Sequence, residues 1–397
     1  MVDKIGLIYT SRYMEYNFGP DHPLRPLRLK LTYSLMEKLG LLNHKLLEIF
    51  EPREATREEI ERVHSSDYID VVKKLSNNVN DRTIQPYVYG LGPGDNPIFK
   101  GMYEASALVC GASIKAAELV WMNNNIVHAF NPAGGLHHAY KNKASGFCIF
   151  NDIAIAIKYL KNLKKDIRIA YLDIDCHHGD GVQWLFYDDP NVLTISFHES
   201  GKFLFPGTGN TNEHGEGKGK GYSINFPLLP GTTNKMLIKL FRYCVPKILE
   251  VYAPDILFTQ LGVDMHYNDP LTQMGVSISA YRDIAQTMET CARDYCQNKW
   301  VAVGGGGYLM SVVPRAWSLF LAKMLHVELP NELPTSWVNE VKELIPYEDI
   351  PYLLWDRNDK AELQLLSHPE IAKKMIDYNK ELKMLCEEKY LPDLLKA

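Results

Sequence analysis

The sequence lacks the features by which several classes of protein are recognised. Its 397 residues contain no block of lysine and arginine and carry a formal net charge of −5, so a nucleic-acid surface has little electrostatic support. The seven cysteines form no CxxC pair, which argues against a cysteine-rich zinc site and a disulfide framework. No apolar run approaches the ~20 residues of a membrane span, and no lipidation signal closes the chain. We therefore expect a soluble, cytoplasmic protein whose partners include neither nucleic acid nor a membrane.

Short β-branched runs alternate in this sequence with longer segments of helical period. The runs predict buried strands at residues 4–9, 167–174, 192–197, 255–261 and 300–303. The longer segments predict helices at residues 27–39, 101–121, 151–163, 233–251 and 279–296. A capping box at residues 56–59 opens one more helix. Such alternation favours a single α/β domain, in which helices cover both faces of a mostly parallel sheet.

Polar segments follow four of the predicted strands, at the point where each strand ends. The segment DIDCHHGD follows the second strand, FLFPGTG follows the third, and Asp264 follows the fourth. Four consecutive glycines and Tyr308 follow the fifth. Ligand sites of parallel sheets gather beyond the carboxyl ends of the strands, so these segments are expected to meet in one pocket.

Asp175, His177 and Asp264 offer two carboxylates and one imidazole to such a pocket. Asp175 and His177 are two residues apart at a strand end, where an extended backbone points both side chains the same way. Three ligands of this kind leave positions open for water and substrate, which is typical of a catalytic divalent metal. The set suits Zn²⁺ without excluding Fe²⁺, Co²⁺ or Mn²⁺. Taken alone, the same residues also fit acids that cap a helix or pair with nearby bases.

Two adjacent histidines, His137 and His138, follow a glycine pair. Because buried imidazoles need partners, they indicate a general base and an electrostatic partner, with Asp173 and Asp180 as the acids that orient them. A surface pair without a role is the alternative. Tyr308 follows four glycines that lack the next lysine of a phosphate-binding loop, so its phenol is a candidate donor to an oxyanion.

Six motifs occur in the order that one protein family shows. They are NPAGGLHHA, GFCIFND, DIDCHHGDGVQ, FPGTG, LGVDMHYNDPL and GGGGY. The chain thereby resembles the metal-dependent histone deacetylases of the arginase–deacetylase superfamily, and most closely the prokaryotic acetoin-utilization-type deacetylases. The resemblance implies a single-domain, three-layer α/β/α fold with a mostly parallel, eight-stranded sheet. It runs to about residue 322, so we expect a catalytic domain at 1–322 and a helical extension at 323–397 packed on the same domain.

The resemblance also implies a role for each matching residue. It implies that Asp175, His177 and Asp264 bind the metal, which would be Zn²⁺ or, in vivo, Fe²⁺. It implies a catalytic group made of His137, His138, Tyr308, Asp173 and Asp180. It implies substrate contacts at Asp95, Gly146, Phe147, Phe205 and Leu271, and an acetate channel at Arg28. It implies two structural K⁺ or Na⁺ sites, the first at Asp173, Asp175, His177 and Ser196, the second at Phe186, Asp189, Val192 and Tyr222.

The implied reaction is hydrolysis of the amide bond of N-acetyl-lysine, or a related acyl-lysine, in a protein or peptide, with release of acetate. A metal-activated water, the tandem histidines as general acid and base, and Tyr308 as oxyanion donor would perform it. The nearest alternative is an acetylpolyamine or other small acetyl-amide amidohydrolase. Such an enzyme needs an acidic residue at the mouth of the site, at the position that Leu271 occupies here. An arginase-like enzyme needs more aspartate ligands than His266 and Asp269 offer, and an acyl-lysine reader would need no catalytic set.

Overall fold

One sheet of eight strands organises this computed structural model, which describes residues 3–123, 125–356 and 360–396. The strands are β1 (Lys4–Ile8), β2 (Leu47–Phe50), β3 (Ile126–Asn131), β4 (Ile169–Asp173), β5 (Val192–Glu199), β6 (Ser223–Leu228), β7 (Ile256–Gln260) and β8 (Trp300–Val303). Their order is β2-β1-β3-β8-β7-β4-β5-β6, and each neighbouring pair is parallel. The predicted eight-stranded parallel sheet is confirmed.

The sequence analysis missed three of these strands, and each has a physical reason. β2 and β6 form the two edges of the sheet, where pairing on one side suffices. β6 contains Pro227, whose missing N–H is tolerated at an edge but argues against a strand in a sequence. β3 carries His128 in its middle, which interrupts the apolar run that marks a buried strand.

Helices cover both faces of the sheet, as expected for parallel strands joined by crossovers. They are α1 (Leu27–Lys38), α2 (Arg57–Ile60), α3 (Ser66–Asn77), α4 (Met102–Met122), α5 (Asp152–Leu163), α6 (Asp180–Leu185), α7 (Asn234–Tyr252), α8 (Ile278–Tyr295), α9 (Val313–Met324), α10 (Thr335–Leu344), α11 (Lys360–Leu366), α12 (Pro369–Leu385) and α13 (Leu391–Lys396). The five predicted helices are confirmed to within one or two residues at each end. The capping box before α2 also forms, between Thr56 and Glu59.

Helix α4 corrects one expectation drawn from the sequence. Its 21 residues are long and apolar enough, by length and composition, to cross a membrane, although no segment was expected to reach that limit. However, 78% of its most apolar window is buried inside the protein, where the helix packs against α5 and β3. Its hydropathy therefore reflects a position in the core of the fold.

The segment after α9 packs along the outside of the sheet and its helices. The Trp337 indole in α10 donates a hydrogen bond to the Leu31 carbonyl of α1 at 2.9 Å. The Tyr390 hydroxyl near the end of the chain donates to the Asn225 carbonyl of β6 at 2.9 Å. The extension thus contacts helix α1 and the edge strand β6, while its boundary at residue 322 stays a prediction.

Candidate active site

The candidate site lies at the carboxyl ends of five strands that are adjacent in the sheet: β3, β8, β7, β4 and β5. The loops after these strands carry the polar motifs of the sequence, because parallel strands all end at the same edge. A narrow pocket opens there. Among the residues that line it are Arg28, His137, His138, Phe147, Asp175 and Tyr308.

Asp175, His177 and Asp264 converge in this site as predicted. One potential ligand atom from each residue lies within 4.8 Å of the others, and all three side chains are buried. His177 Nδ1 is 2.9 Å from Asp264 Oδ2 and 3.2 Å from Asp175 Oδ1. Asp175 and His177 lie just beyond the end of β4, in the loop rather than on the strand itself.

Backbone and side-chain donors hold the two carboxylates of the triad in place. Asp175 Oδ2 accepts hydrogen bonds from the Gly306 N–H at 2.7 Å and from Gln260 Nε2 at 2.6 Å. Asp264 Oδ1 accepts the Cys176 N–H at 2.8 Å. A Cβ at Gly306 would lie 2.3 Å from Asp264 Oδ2, so only glycine allows the backbone this close. The carboxylates are therefore held at fixed positions around one point.

The charges of the triad also fit a cation. Burial lowers the pKa of His177, but hydrogen bonds to Asp175 and Asp264 outweigh it and raise that pKa to about 10. Burial, followed by the charge of Asp175, raises the pKa of Asp264 to about 6. Two buried carboxylates beside an imidazole thus attract positive charge, and their oxygen and nitrogen atoms are ligands that suit a divalent metal.

Each of the tandem histidines pairs with one of the predicted acids. His137 Nδ1 donates to Asp173 Oδ2 at 2.8 Å, and His138 Nδ1 donates to Asp180 Oδ1 at 2.7 Å. The Nε2 atoms of the two rings lie 3.0 Å apart, so both imidazoles present the same edge to one point. This is the arrangement expected of two oriented imidazoles, since the paired nitrogen of each is fixed by its carboxylate.

Two tyrosines that the sequence analysis did not single out hold these carboxylates from behind. The Tyr171 hydroxyl donates to Asp173 Oδ2, and the Tyr140 hydroxyl donates to Asp180 Oδ2, both at 2.6 Å. Tyr171 lies two residues before Asp173 on β4, and strand alternation puts both side chains on one face. That spacing was a signal available in the sequence. Tyr140 had none, since its partner lies 40 residues away.

Tyr308 follows β8 and lines the cavity with its ring. The ring meets Phe147 edge to face, with centroids 5.8 Å apart. Burial, followed by the negative charge of Asp264, raises the pKa of Tyr308 well above its usual value. The phenol therefore keeps its proton and remains a hydrogen-bond donor.

Gly146, Phe147 and Phe205 border the site beside His138. Gly146 and Phe147 both have positive φ, at 50° and 69°. A Cβ at Gly146 would lie 2.5 Å from His138 Cδ2 and 3.0 Å from the Phe205 ring, so glycine is needed for this approach. The Phe205 ring is 43% exposed, and its centroid is 5.1 Å from that of His138. The Phe205 ring thus lies beside the His138 imidazole, while the Phe147 ring packs against Tyr308.

The other two expected substrate contacts lie further from the cavity. Asp95 is exposed, and its backbone carbonyl lies 3.2 Å from His22 Nε2, whose ring packs edge-on against Phe147. Leu271 is partly exposed, and its N–H donates to Asp269 Oδ1 at 3.0 Å. Neither side chain lines the cavity among the residues that the structure describes. Their contacts with substrate stay predictions.

Arg28 lies behind the site, between two cavities. Its buried guanidinium donates to the carbonyls of Gly305 at 2.7 Å and Gly307 at 3.0 Å, and it lies 5.1 Å from the centroid of the Trp317 ring. Arg28 also lines a second, small cavity together with Tyr13, Tyr16, Leu29 and Val109. This position is compatible with the expected internal channel, whose transport of acetate stays a prediction.

The residues expected to hold monovalent cations cluster in two places. Ser196 pairs with Asp173 across β4 and β5, and Asp173 Oδ1 accepts the Asp175 N–H at 3.0 Å, which brings the first set together with His177. The second set runs from the end of α6 to the start of β5, at Phe186, Asp189 and Val192, with Tyr222 just before β6. The Lys161 ammonium already pairs with the Asp189 carboxylate at 2.7 Å.

Comparisons with known proteins agree with this geometry. Residues 22–324 match the histone deacetylase domain. The chain is 42% identical over 340 residues to the acetoin utilization protein AcuC of Bacillus subtilis (strain 168), covering 85% of this chain and 87% of that protein. It is 38% identical over 349 residues to AcuC of Staphylococcus aureus (strain MSSA476), covering 86% and 88%.

Two solved structures are similar over nearly the whole chain. One is an HDAC homolog from Aquifex aeolicus, with a TM-score of 0.78 and 30% identity, and the other is an HDAC homolog complexed with SAHA, with a TM-score of 0.80 and 32% identity. Each comparison covers 96% of this chain and 100% of the other. The family match spans every loop of the candidate site, from Arg28 to Tyr308.

Proposed function

Because the chain belongs to the histone deacetylase family, we propose that it hydrolyses the amide bond of N-acetyl-lysine, or a related acyl-lysine, in cytoplasmic proteins or peptides. One observation carries the proposal. A buried set of two carboxylates and one imidazole, with ligand atoms within 4.8 Å of one another, lies beside two His–Asp pairs in one cavity. A pure acyl-lysine reader would have no use for that combination.

The chain's own side chains divide the reaction among them. A metal at Asp175, His177 and Asp264 would supply a Lewis acid that activates water and polarises the amide carbonyl. His138 Nε2 takes a proton from the water and later gives one to the leaving amine, while Asp180 fixes the ring. The Tyr308 hydroxyl donates to the amide oxygen as that oxygen gains negative charge.

Binding of the substrate rests on the aromatic rings at the opening. Phe147 and Phe205 would flank the aliphatic stem of the lysine, and burial of that stem contributes about 0.8 kcal/mol for each CH₂ group. Asp95 would grip the substrate backbone from the rim. Arg28 would attract the acetate product, since it is a buried cation behind the site. K⁺ or Na⁺ would support the loops as structural ions.

The metal requirement is tested first. Treatment with a chelator should abolish hydrolysis of an acetyl-lysine peptide, and added Zn²⁺ or Fe²⁺ should restore it. Asp264→Ala should lose both bound metal and activity, while circular dichroism shows a folded chain. Full activity in a preparation whose metal content is measured as zero would refute the proposal.

The substrate class is tested by parallel assays. Acetyl-lysine peptides should exceed N-acetylputrescine in kcat/KM by at least ~10-fold, because an apolar Leu271 gives the free ammonium of the polyamine no partner. Leu271→Glu should narrow that ratio, since a carboxylate would pair with the ammonium. The matched control is Leu163→Glu. Leu163 ends α5 and precedes the amino end of β4, on the side of the sheet opposite the site, so this change should leave the ratio as in wild type. Equal rates on both substrates, unchanged by Leu271→Glu, would show that Leu271 does not select between them.

A further inference from the structure

Asp269 joins the loop that carries a metal ligand to the loop that carries Tyr308. It lies five residues after Asp264 and is 7% exposed. Its Oδ2 accepts the Tyr308 N–H at 3.0 Å, and its Oδ1 accepts the Leu271 N–H at 3.0 Å. Its own N–H donates to the His266 carbonyl at 2.7 Å. One carboxylate thus ties the backbone of the tyrosine to the metal-bearing loop.

The backbone before Tyr308 cannot fix the tyrosine by itself. The preceding residues are four glycines, and Gly305 and Gly307 have positive φ of 149° and 128°. A Cβ at Gly307 would lie 2.7 Å from Val263 and 2.8 Å from Val313, so bulkier residues are excluded from this turn. Glycine has more conformational freedom than any other residue, so the orientation of Tyr308 must come from contacts made to the loop.

Two buried side chains supply those contacts from different sides. Arg28 donates to the carbonyls of Gly305 and Gly307, and Asp269 accepts the N–H of Tyr308. Of the two, only Asp269 forms a hydrogen bond to Tyr308 itself. Its carboxylate is therefore in a position to set where the hydroxyl points.

The cost of burying Asp269 also indicates a functional role. Its side chain is 7% exposed, and a cation that acts on its charge is the buried Arg28 guanidinium, which itself binds the glycine loop. Burying an acidic side chain is costly unless hydrogen bonds compensate for it, and those of Asp269 come from the Tyr308 and Leu271 N–H groups.

We propose that Asp269 is a positioning residue, which fixes the Tyr308 phenol for its hydrogen bond to the amide oxygen of the substrate. The inference rests on the proposed function and adds a residue to it. Asp269 itself would touch neither the substrate nor the reacting atoms. Its effect on the rate would pass entirely through the Tyr308 hydroxyl.

A double-mutant cycle tests this route. Asp269→Asn turns one acceptor into an NH₂ group that faces a backbone N–H, so one of the two bonds is lost with little change in size. We expect kcat to fall by ~10- to 100-fold with KM within about 3-fold, because a misplaced donor loses transition-state stabilisation. Tyr308→Phe should lower kcat by ~100-fold. In the Tyr308→Phe background, Asp269→Asn should lower kcat by less than about 3-fold further.

A matched control separates positioning from general loss of structure. The Asp255 carboxylate accepts the Arg168 N–H at 3.0 Å, at the opposite edge of the sheet. Asp255→Asn should change kcat little, and its effects should multiply with those of Tyr308→Phe. Asp269→Asn should also keep bound metal at the wild-type stoichiometry. Should Asp269→Asn not fold, Asp269→Glu displaces the carboxylate by one methylene and enters the same cycle.

The outcomes distinguish the positioning role of Asp269 from the proposed deacetylase activity. An Asp269→Asn effect that disappears in the Tyr308→Phe background, with metal retained, supports the positioning role. An effect that multiplies fully in that background, or a loss of metal, overturns the role while leaving the deacetylase proposal intact. A wild-type protein that carries metal and hydrolyses no acyl-amide overturns the proposed function itself.

Discussion

The two His–Asp pairs of the site have nearly the same geometry and opposite electrostatics. The His137–Asp173 and His138–Asp180 distances are 2.8 and 2.7 Å, and all four side chains are buried. Burial lowers the pKa of His137, but Asp173 and Asp175 outweigh it and raise that pKa to about 9. Burial, followed by the positive charge of His137, lowers the pKa of His138.

The difference comes from the second carboxylate. Asp175 Oδ2 lies 3.9 Å from His137 Nε2, so His137 faces two anions and holds a proton. His138 faces Asp180 and, on its other side, a charged imidazole. A neutral imidazole can accept a proton near neutral pH, whereas a charged one supplies fixed positive charge. Adjacent residues of the same type are thereby suited to different tasks.

The largest expected effect is that of His138→Ala. Loss of the proton carrier should lower kcat by ~10²- to 10⁴-fold. His214 offers a matched control, because its Nε2 pairs with Asp393 at 3.0 Å outside the site. His214→Ala should leave kcat near the wild-type value. A His138→Ala variant with near-normal kcat on an acetyl-lysine peptide would break the comparison.

Tyr308→Phe comes next, since it removes one donor to the developing oxyanion and leaves the ring in place. We expect kcat to fall by ~100-fold with metal content unchanged. The result bears on the two histidines because Tyr308 and His137 both face the negative charge that forms. Unchanged kcat would mean that His137 carries that task without the phenol.

His137→Ala should lower kcat less than His138→Ala or Tyr308→Phe does. Removing a fixed charge while His138 stays intact should lower kcat by ~10-fold, the equivalent of about 1.4 kcal/mol. Steady-state kinetics across pH provide the measurement. If His137→Ala lowers kcat more than His138→Ala does, the assignments of proton carrier and fixed charge must be exchanged.

The smallest effect is a difference in the pH dependence of stability in the metal-free protein. The folded pKa of His137 is about 9, above an unfolded value of about 6.5, so its stabilisation is complete below pH ~6.5 and is lost as pH rises through 9. The folded pKa of His138 is lowered, so this residue destabilises the fold as pH falls below ~6.5.

Urea unfolding from about pH 5.5 to about 9.5 measures both effects. At low pH, the free energy of unfolding of His137→Ala should be lower than that of wild type by at most about 3 kcal/mol. This difference should shrink above pH ~7. The free energy of unfolding of His138→Ala should instead rise relative to that of wild type as the pH falls. Parallel pH curves for the two variants would contradict the comparison.

The sequence located the chemically unusual residues and missed those that hold them. Asp175, His177 and Asp264 were predicted as a triad because all three follow the carboxyl ends of predicted parallel strands, and they do converge. Tyr140 and Asp269 were not recognised as supports. Each acts through a hydrogen bond to a residue about 40 positions away, and no local pattern reports such a contact.

By itself, the sequence determined that this chain forms an α/β fold of the histone deacetylase family, because strand and helix periodicities and the six motifs are local properties of the chain. The pairing order of the eight strands and the opposite electrostatics of His137 and His138 were decided only by the tertiary structure. A pKa depends on which charges lie within a few ångströms in a buried site, and adjacent residues in a sequence need not share those neighbours.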